Sequence, residues 1–333
     1  MTGMPIHLRA AVPNALAGAM LALAVAWPAA ARAACSIKVM ELPVKMVGQR
    51  AIATVGINGT PVPLMVDTGA FFSMLTEAAA AQLNLWLGPL PHGLEVQGLV
   101  GKVRARSTTV SHLQLVKGEI PDVDFVVGGN EPGDGAMGLM GRNMLSFVDT
   151  EYDLAHGVIR FVLPSDDCEH TNMAYWAGET PVAELKLQHD YGVRNPELRA
   201  DITLNGREIT ALFDSGADTV VSLDAAHRVG VKDSDMTSVG KVAGVGSGRA
   251  DLWTAAFDKV DFGGEAVQHN RLEVAALDMS EDMLLGIDFF LSHHIYVSKK
   301  QSKMYFTYNG GPVFALNLGE RGGPAAGAAA DAL

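Results

Sequence analysis

Two stretches of the chain consist of short apolar or alternating runs that are interrupted by an Asn-Gly pair. The first is AIATVGI-NG-TPVPLMV at residues 51–66, and the second is LRADITL-NG-REITALF at residues 198–213. Alternation and β-branched residues favour strands, and Asn-Gly between two such runs is typical of a two-residue hairpin turn. Each stretch is therefore predicted to form a β-hairpin.

Helical patterns are short and scarce. TEAAAAQL at residues 76–83 and SLDAAHRV at residues 222–229 each begin with a hydroxyl residue, Thr76 or Ser222, that suits a helix N-cap. Most of the remaining sequence has the pattern of short strands and turns, with 36 glycines among 333 residues. The sequence therefore predicts an all-β fold with short helical inserts.

The chain also repeats itself. Residues 53–70 align without a gap to residues 200–217, so that Asp67 matches Asp214. Two later segments follow in the same order: VQGLVGK at 96–102 corresponds to VAGVGSG at 242–248, and GLMGRNML at 138–145 corresponds to MLLGIDFF at 283–290. Three matched segments at nearly constant spacing predict two copies of one fold.

The repeats and the composition between them suggest domain bounds. Domain 1 is predicted at 36–164 and domain 2 at 179–318, joined by a linker at 165–178 that is rich in polar turn residues. The Gly/Ala-rich tail at 319–333 is predicted to be disordered. Residues 1–33 have a different pattern, with an apolar core and no counterpart in the repeat.

The N-terminus has the pattern of an export signal. Arg9 precedes an apolar core at 15–27, and Ala-Arg-Ala at 31–33 resembles a signal-peptidase site. The apolar core is shorter than the roughly 20 residues that span a bilayer, so cleavage is the first reading and a retained anchor the alternative. The mature chain is predicted to be periplasmic or secreted, without stable membrane insertion.

Charge and cysteine content narrow the function classes further. The formal net charge is −12, which gives no electrostatic footprint for nucleic acid or an anionic membrane. The two cysteines, Cys35 and Cys168, can form a disulfide in an exported chain, and two unpaired thiols are the alternative. They are far apart and have no adjacent histidine pair, so no metal site is predicted.

The candidate chemistry lies in the repeated acids. Asp67 begins Asp-Thr-Gly-Ala after one hydrophobic strand, and Asp214 begins Asp-Ser-Gly-Ala after the other; each copy later contains an apolar-apolar-Gly run, 139–141 and 284–286. In these motifs the chain resembles the retropepsin-like aspartic proteases over nearly all of residues 45–310. The resemblance implies two β-barrel lobes related by a pseudo-twofold axis.

The resemblance also implies an active site without a cofactor, made by one acid from each lobe. Asp67 and Asp214 would lie side by side and share one proton, because two adjacent carboxylates cannot both ionise readily. The expected activity is hydrolysis of peptide bonds by a water held between them. A catalytically weak peptide-binding or scaffold module is the alternative.

The residues after each acid have roles implied by the same resemblance. Thr68 and Ser215 would hydrogen-bond to the backbone of the opposite lobe, and Gly69 and Gly216 would let the backbone approach the carboxylates. Ala70 and Ala217, which come next, lack the hydroxyl that pepsins use to stabilise the ionised form. A mildly acidic to near-neutral pH optimum is therefore expected.

Two glycine-containing hairpins are expected to act as flaps over an extended peptide, which would pair with them as an added strand. One contains Gly98, Leu99, Val100 and Gly101, and the other contains Gly244, Val245 and Gly246. Because both half-sites lie in one polypeptide, the protein is expected to be a monomer with an internal pseudo-dimer. Pairing of half-sites between two chains is the alternative arrangement.

Some positions depart from strict repetition or invite a second interpretation. The second active-site loop is one residue shorter than the first, so that Thr219 corresponds to Ser73. Asn143 and Asp288 follow the repeated glycines and are interpreted as structural. The pair at 293–294, both histidines, is interpreted as the solvated end of a helix.

Overall fold

The computed structural model describes residues 35–98, 101–129, 132–188, 196–243, 248–277 and 280–314. The signal segment and the tail predicted from the sequence lie outside these ranges. No helix in the described ranges is long and apolar enough to cross a membrane.

The first half of the chain contains eleven strands and two short α-helices within its described residues. Their bounds are β1 Ile37–Val47, β2 Arg50–Ile57, β3 Thr60–Val66, β4 Met74–Leu75, α1 Glu77–Gln82, β5 Val96–Gly98, β6 Gly101–Val103, β7 Ala105–Leu115, β8 Gly118–Gly128, β9 Gly138–Met140, α2 Arg142–Leu145, β10 Asp149–Asp153 and β11 Val158–Pro164.

The second half repeats this plan. Its elements are β12 Ala183–Lys186, β13 Arg199–Leu204, β14 Arg207–Phe213, β15 Val220–Ser222, α3 Leu223–Arg228, β16 Thr237–Ala243, β17 Arg249–Phe262, β18 Glu265–Ala275, β19 Met283–Leu285, α4 Ile287–Ser292, β20 His293–Ser298 and β21 Lys303–Tyr308. Three-residue 3-10 helices lie at Leu154–His156, Asp166–Cys168 and Asp233–Asp235.

Each half folds into a six-stranded barrel, which we call lobe 1 and lobe 2. Lobe 1 has the strand order β2-β3-β9-β4-β8-β7 and closes through β2–β7 pairing. Lobe 2 has the order β13-β14-β19-β15-β18-β17 and closes through β13–β17. In both lobes the strand before the acid pairs in parallel with the short strand before the later glycine, β3 with β9 and β14 with β19. The expected all-β fold of two barrel lobes is confirmed.

Local sequence signals account for the hairpins and helix starts. Asn58 and Asn205 have positive φ angles of 48° and 49°, as the tight turns predicted at Asn-Gly require. Thr76 Oγ1 accepts a hydrogen bond from the Ala79 backbone N–H at 3.0 Å, and Ser222 Oγ caps α3 in the same way. The hydrophobic pattern thus places the strands, and the polar caps begin the helices.

A shared sheet joins the lobes. It has the strand order β12-β21-β20-β10-β11-β1, with β10 of the first half paired antiparallel to β20 of the second. The predicted bounds 36–164 and 179–318 assign whole segments to separate domains, but strands from both segments lie side by side here. The lobes are therefore fixed to each other by backbone hydrogen bonds as well as by side chains.

The segment predicted as a linker, 165–178, packs against this shared sheet. Cys168, Met173 and Ala177 are buried in a small cluster with Tyr296 and other side chains. Cys168 forms a disulfide with Cys35, so the expected pairing is present. This disulfide links the segment covalently to Cys35, two residues before β1 begins.

The histidine pair at the end of α4 was interpreted from sequence as solvated, and this is wrong because both side chains are buried. His293 Nε2 lies 3.0 Å from Glu265 Oε1 in lobe 2. His294 Nε2 lies 2.8 Å from Glu151 Oε1 on β10, and its ring stacks on Trp176 at 3.9 Å. Neighbouring strand residues point to opposite faces, so each histidine meets a different carboxylate.

Candidate active site

The two repeated acids lie where their strands end, at the junction of the lobes. Asp67 follows β3, and its backbone N–H donates to Met140 O at 3.0 Å. Asp214 follows β14, and its backbone N–H donates to Leu285 O at 2.8 Å. The parallel strand beside each acid therefore fixes the backbone from which its carboxyl group projects.

The two carboxyl groups lie close together: burial and the charge of Asp214 both raise the pKa of Asp67. Each also accepts a backbone N–H from its own loop: Ala70 N donates to Asp67 Oδ1 at 2.8 Å, and Gly216 N donates to Asp214 Oδ1 at 2.9 Å. The structure therefore brings together the two acids that the repeat singled out. We call this pair the dyad.

Burial disfavours charge on both members of the dyad. Burial raises the pKa of Asp67 well above its usual value, and the negative charge of Asp214 raises it further. Burial also raises the pKa of Asp214, against the opposing effect of hydrogen bonds from Gly216, Asp67 and Gly69. Two adjacent carboxyls with raised pKa values retain a proton between them at mildly acidic pH.

The residue two positions after each acid is a glycine, because no side chain fits there. A Cβ at Gly69 would lie 2.4 Å from Asp214 Oδ2, and a Cβ at Gly216 would lie 2.5 Å from Asp67 Cγ. Each glycine therefore packs against the carboxyl group of the opposite lobe. This crossed arrangement is the close backbone approach that the sequence pattern implied.

The hydroxyl residues between acid and glycine cross the lobe junction. Thr68 Oγ1 donates to Phe213 O at 2.7 Å and accepts from Ser215 N at 2.9 Å. Ser215 Oγ donates to Val66 O at 3.1 Å and accepts from Thr68 N at 3.2 Å. Four buried hydrogen bonds, two from each hydroxyl, tie the base of one loop to the base of the other.

A second hydroxyl supports each loop from behind. In lobe 1, Ser73 Oγ accepts from Gly141 N at 2.9 Å and donates to Asn143 Oδ1 at 2.8 Å. The side chain of Asn143 also accepts from Ser73 N at 2.7 Å. Asn143 therefore supports the loop that carries Asp67.

Lobe 2 makes the same two hydroxyl contacts although its loop is one residue shorter. Thr219 Oγ1 accepts from Gly286 N at 2.8 Å and donates to Asp288 Oδ1 at 2.5 Å. The residue missing from this loop lies between Ala217 and Thr219. The Thr219 hydroxyl still bonds the backbone N–H of the repeated glycine and a side-chain oxygen two residues further on. Asp288, like Asn143, supports a loop.

The predicted flaps are described in part. β5 and β6 form a two-stranded hairpin in which Gly98 pairs with Gly101, while Leu99 and Val100 lie outside the described residues. β16 pairs with β17 up to Ala243 opposite Arg249, and Gly244, Val245 and Gly246 lie outside the described residues. Both predicted flap segments are thus flanked by paired strands.

Sequence reasoning missed a buried cation next to the dyad. Arg142, the first residue of α2, is 3% exposed, and its positive charge lowers the pKa of Asp214. Its guanidinium lies 5.4 Å from the ring of Phe71, which follows Ala70 in the first loop. The signal was present in the repeat, because the residue aligned with Arg142 is the apolar Ile287.

Comparisons with known families match two segments of the chain. Residues 53–147 match a family described as "gag-polyprotein putative aspartyl protease", and residues 200–289 match one described as "Aspartyl protease". Together the two matches cover more than half of the chain, and each includes one member of the dyad. No curated protein sequence matches the chain.

One solved structure with a similar fold is basic 7S globulin from soybean. The two chains share 12% sequence identity, over 82% of this chain and 95% of the globulin, with a TM-score of 0.44. A likeness this distant adds nothing to the assignment, which depends on the two family matches and on the duplicated fold. The chain therefore belongs to the retropepsin-like aspartic proteases and carries two domains of that family in tandem.

Proposed function

We propose that the protein is an aspartic endopeptidase that uses Asp67 and Asp214 to activate a water molecule against a peptide bond. One feature of the geometry carries this proposal: the carboxyl groups of Asp67 and Asp214, one from each lobe, lie side by side, each packed against the glycine of the opposite loop. Structural carboxylates are ordinarily paired with cations, whereas two facing acids are costly to bury. Such an arrangement is typical of an acid–base pair.

The dyad can supply both halves of general acid–base catalysis. The ionised carboxylate removes a proton from water as the water oxygen bonds to the carbonyl carbon. The protonated carboxyl donates to the carbonyl oxygen, on which negative charge develops. The tetrahedral intermediate then collapses, the C–N bond breaks, and a proton passes from the dyad to the leaving nitrogen. No cofactor enters these steps.

The substrate in this proposal is a protein or peptide in extended conformation. The hairpins that flank the predicted flaps, β5–β6 in lobe 1 and β16–β17 in lobe 2, carry backbone N–H and C=O groups that an extended peptide can pair with. Main-chain pairing would hold the peptide, and side-chain pockets would select its sequence.

The alternative of an inactive binding module was suggested by the shortened second loop. Thr219 makes the same two hydrogen bonds as Ser73, so the shorter loop retains its support at the glycine and at the helix start. The dyad also retains a backbone N–H donor on each side. We therefore favour catalysis over binding alone.

The test is cleavage of a diverse peptide pool by the purified mature chain between about pH 3 and pH 8, with products identified by mass spectrometry. Asp67→Asn and Asp214→Asn should each lower kcat by at least about 100-fold, the lower range for loss of a general acid or base. Asp258→Asn, at an exposed aspartate in β17, is the matched control and should match the wild type. Peptide binding without cleavage by the wild type would support the binding module instead.

We further propose that one chain forms a complete active site as a monomer. The four hydrogen bonds between Thr68 or Ser215 and the opposite loop lie within one polypeptide and support this arrangement. Light scattering should give the monomer mass. An equal mixture of Asp67→Asn and Asp214→Asn chains should remain inactive, and recovery of activity on mixing would indicate dyads formed between chains.

The proposed site of action is outside the cytoplasm, in the periplasm or beyond. The leader pattern at 1–33 and the disulfide between Cys35 and Cys168 support this proposal, because disulfides persist in oxidising compartments. Fractionation of cells that produce the chain, followed by N-terminal sequencing, tests it. Recovery of an unprocessed chain from the cytoplasm would contradict it.

A further inference from the structure

The face of the shared sheet that carries the segment 165–178 contains a buried carboxylate with donors from three parts of the chain. Glu151 lies in the middle of β10, and its side chain is 1% exposed. Arg160 Nη1 on β11 donates to Glu151 Oε1 at 2.5 Å, and His294 Nε2 on β20 lies 2.8 Å from the same oxygen. The second oxygen, Oε2, accepts from the Tyr175 hydroxyl. Glu151 therefore contacts both halves of the chain and the segment between them.

We call residues 165–178 the cover segment. The disulfide described above fixes one end of it covalently. Near its other end, the ring of Trp176 stacks on His294 with the ring centres 3.9 Å apart, and Trp176 Nε1 donates to Thr307 Oγ1 on β21 at 2.9 Å. The contacts of Tyr175 and Trp176 therefore hold this end on the shared sheet without a covalent link.

Charged and titratable groups surround Glu151 on every element packed against it. They are Asp149 and Asp153 on β10, Arg160 on β11, Glu41 on β1, His294 and Tyr296 on β20, and Tyr175 in the cover segment. Arg160 Nε also donates to Glu41 Oε1 at 2.9 Å, so a permanent cation lies between two carboxylates. Asp153 Oδ1 lies 2.6 Å from His156 Nδ1, and Asp149 accepts from the Tyr296 hydroxyl at 3.0 Å. These two aspartates therefore have partners of their own.

Glu151 is ionised at neutral pH although it is buried. Burial raises its pKa, but the hydrogen bonds from His294, Tyr175 and Arg160 outweigh burial and hold the pKa of Glu151 below its usual value. A carboxyl group whose pKa is lower in the folded state stabilises the fold above its unfolded pKa, and that stabilisation is lost as pH falls through its folded pKa. The contacts around Glu151 therefore depend on its negative charge.

The strand that carries Glu151 also lies behind the dyad. Neighbouring strand residues point to opposite faces, so Thr150 and Tyr152 project away from the cover segment. Both line a small cavity together with Thr68, whose hydroxyl joins the two active-site loops. β10 belongs to the first half of the chain and pairs with β20 of the second half. A displacement of β10 against β20 would therefore reach the base of the dyad.

We propose that Glu151 is a positioning residue that, as a carboxylate, holds β10, β20 and the cover segment together and so keeps the two lobes in the arrangement the dyad needs. On protonation it releases them, because one of its oxygens becomes a donor and can no longer serve Arg160, His294 and Tyr175 alike. The holding of the lobes goes beyond the proposed peptidase function, and only its effect on cleavage rests on that function.

Urea unfolding between about pH 2.5 and pH 7 tests the dependence on charge without any substrate. The full mature chain is compared with Glu151→Gln, which keeps the size of the side chain and removes its charge. Each unit by which folding lowers the pKa of Glu151 makes the unfolding equilibrium constant about tenfold smaller at neutral pH. At pH 7 that constant should therefore be at least about tenfold larger in Glu151→Gln, and the gap should narrow as pH falls.

The dyad titrates in both proteins, so the gap between their curves reports on Glu151. Glu184→Gln, at an exposed carboxylate on β12 of the same sheet, is the matched control and should follow the wild type. Tyr175→Phe removes one donor and keeps the ring, so its stability should begin to fall at a higher pH than that of the wild type, and it provides the test if Glu151→Gln does not fold. A gap that stays constant with pH, or a Tyr175→Phe curve parallel to the wild type, would indicate a merely structural role and overturn the proposal.

Hydrogen exchange at about pH 6, where Glu151 is a carboxylate, locates the effect. In Glu151→Gln the amides of β10, β20 and the cover segment should lose protection, while those of the β17–β18 hairpin should keep it. Unchanged protection in the cover segment, or an equal loss in the β17–β18 hairpin, would overturn the proposal.

The effect on cleavage is read from kcat/KM on one peptide. At about pH 6 Glu151→Gln should lower kcat/KM by up to about 100-fold, the cost of a misplacement of about 1 Å that originates far from the chemistry. The ratio of wild-type to variant kcat/KM should shrink toward lower pH, and a ratio near one at pH 6 would refute the positioning role. If the wild type cleaves no peptide, the proposed function fails, while the urea and exchange measurements still decide whether Glu151 holds the lobes.

Discussion

The crossed packing of glycine against carboxyl predicts that one added methyl group at Gly69 disables the dyad. In Gly69→Ala the new Cβ would lie 2.4 Å from Asp214 Oδ2, about 0.6 Å inside the 3.0 Å that real Cβ contacts respect. The φ angle of Gly69 is outside the left-handed region, so the backbone itself accepts alanine. The Asp214 carboxyl group must therefore move, because the backbone of the buried loop cannot easily do so.

The size of that movement sets the expected loss. A misplacement of about 1 Å at a catalytic group costs roughly 100-fold, so a shift of about 0.6 Å should lower kcat/KM by between about 10-fold and 100-fold. This corresponds to about 1.4–2.7 kcal/mol of transition-state stabilisation. Gly216→Ala should behave alike, since its Cβ would meet Asp67 Cγ at 2.5 Å.

The assay is steady-state cleavage of one peptide from the pool, with circular dichroism and thermal unfolding as checks on the fold. Gly118→Ala is the matched control, because the nearest atom to its Cβ would be Leu115 O at an ordinary 3.6 Å. A Gly69→Ala enzyme within threefold of the wild type would refute the reasoning. So would a Gly118→Ala enzyme that loses as much activity as Gly69→Ala.

Three further predictions concern stability. Thr68→Ala should lower the unfolding free energy by about 2–5 kcal/mol in urea, since it leaves Phe213 O and Ser215 N without partners; Thr68→Ser keeps both bonds, and equal losses in the two variants would contradict this. Replacing both Cys35 and Cys168 with serine should cost up to about 4–5 kcal/mol in the chain-entropy model for a separation of 133 residues, and an unchanged thermal midpoint would argue against it. Because the pKa of Asp67 is raised in the folded state, its contribution to stability is fully present below its unfolded pKa and is lost as pH rises through its folded pKa. Between about pH 4 and pH 7, Asp67→Asn should therefore lose less unfolding free energy than the wild type. Parallel curves of unfolding free energy against pH for the two proteins would disprove this.

The expectations that followed from local pattern agree with the structure where an element depends on neighbours in sequence. Asn58 and Asn205 supply the turn geometry, and Thr76 and Ser222 cap their helices, because those interactions span only two to four residues. The repeat located both acids for a related reason, since a duplicated fold places equivalent residues at equivalent points. Pattern and repetition together were enough to predict two β lobes with Asp67 and Asp214 at matched strand ends.

The interpretation failed where a side chain's environment comes from distant segments. His293 and His294 follow a short helix and look solvated by sequence, yet β20 lies inside the shared sheet, and their carboxylate partners are Glu265 and Glu151. The polar turn residues of 165–178 likewise do not show that Cys168, Met173 and Ala177 are buried against the shared sheet. No periodicity within either segment carries that information.

The sequence by itself determined the fold class, the duplication and the identity of the two acids, because these follow from residue alternation, turn chemistry and internal repetition. Only the tertiary structure decided how the halves meet: the pairing of β10 with β20, the crossed contacts of Gly69 and Gly216, and the burial of Arg142 against Glu197 of the other half. Those features depend on distances between residues far apart in the chain. Local pattern constrains the backbone of each lobe, whereas the pairing of the two carboxyl groups arises only when the two lobes close on one site.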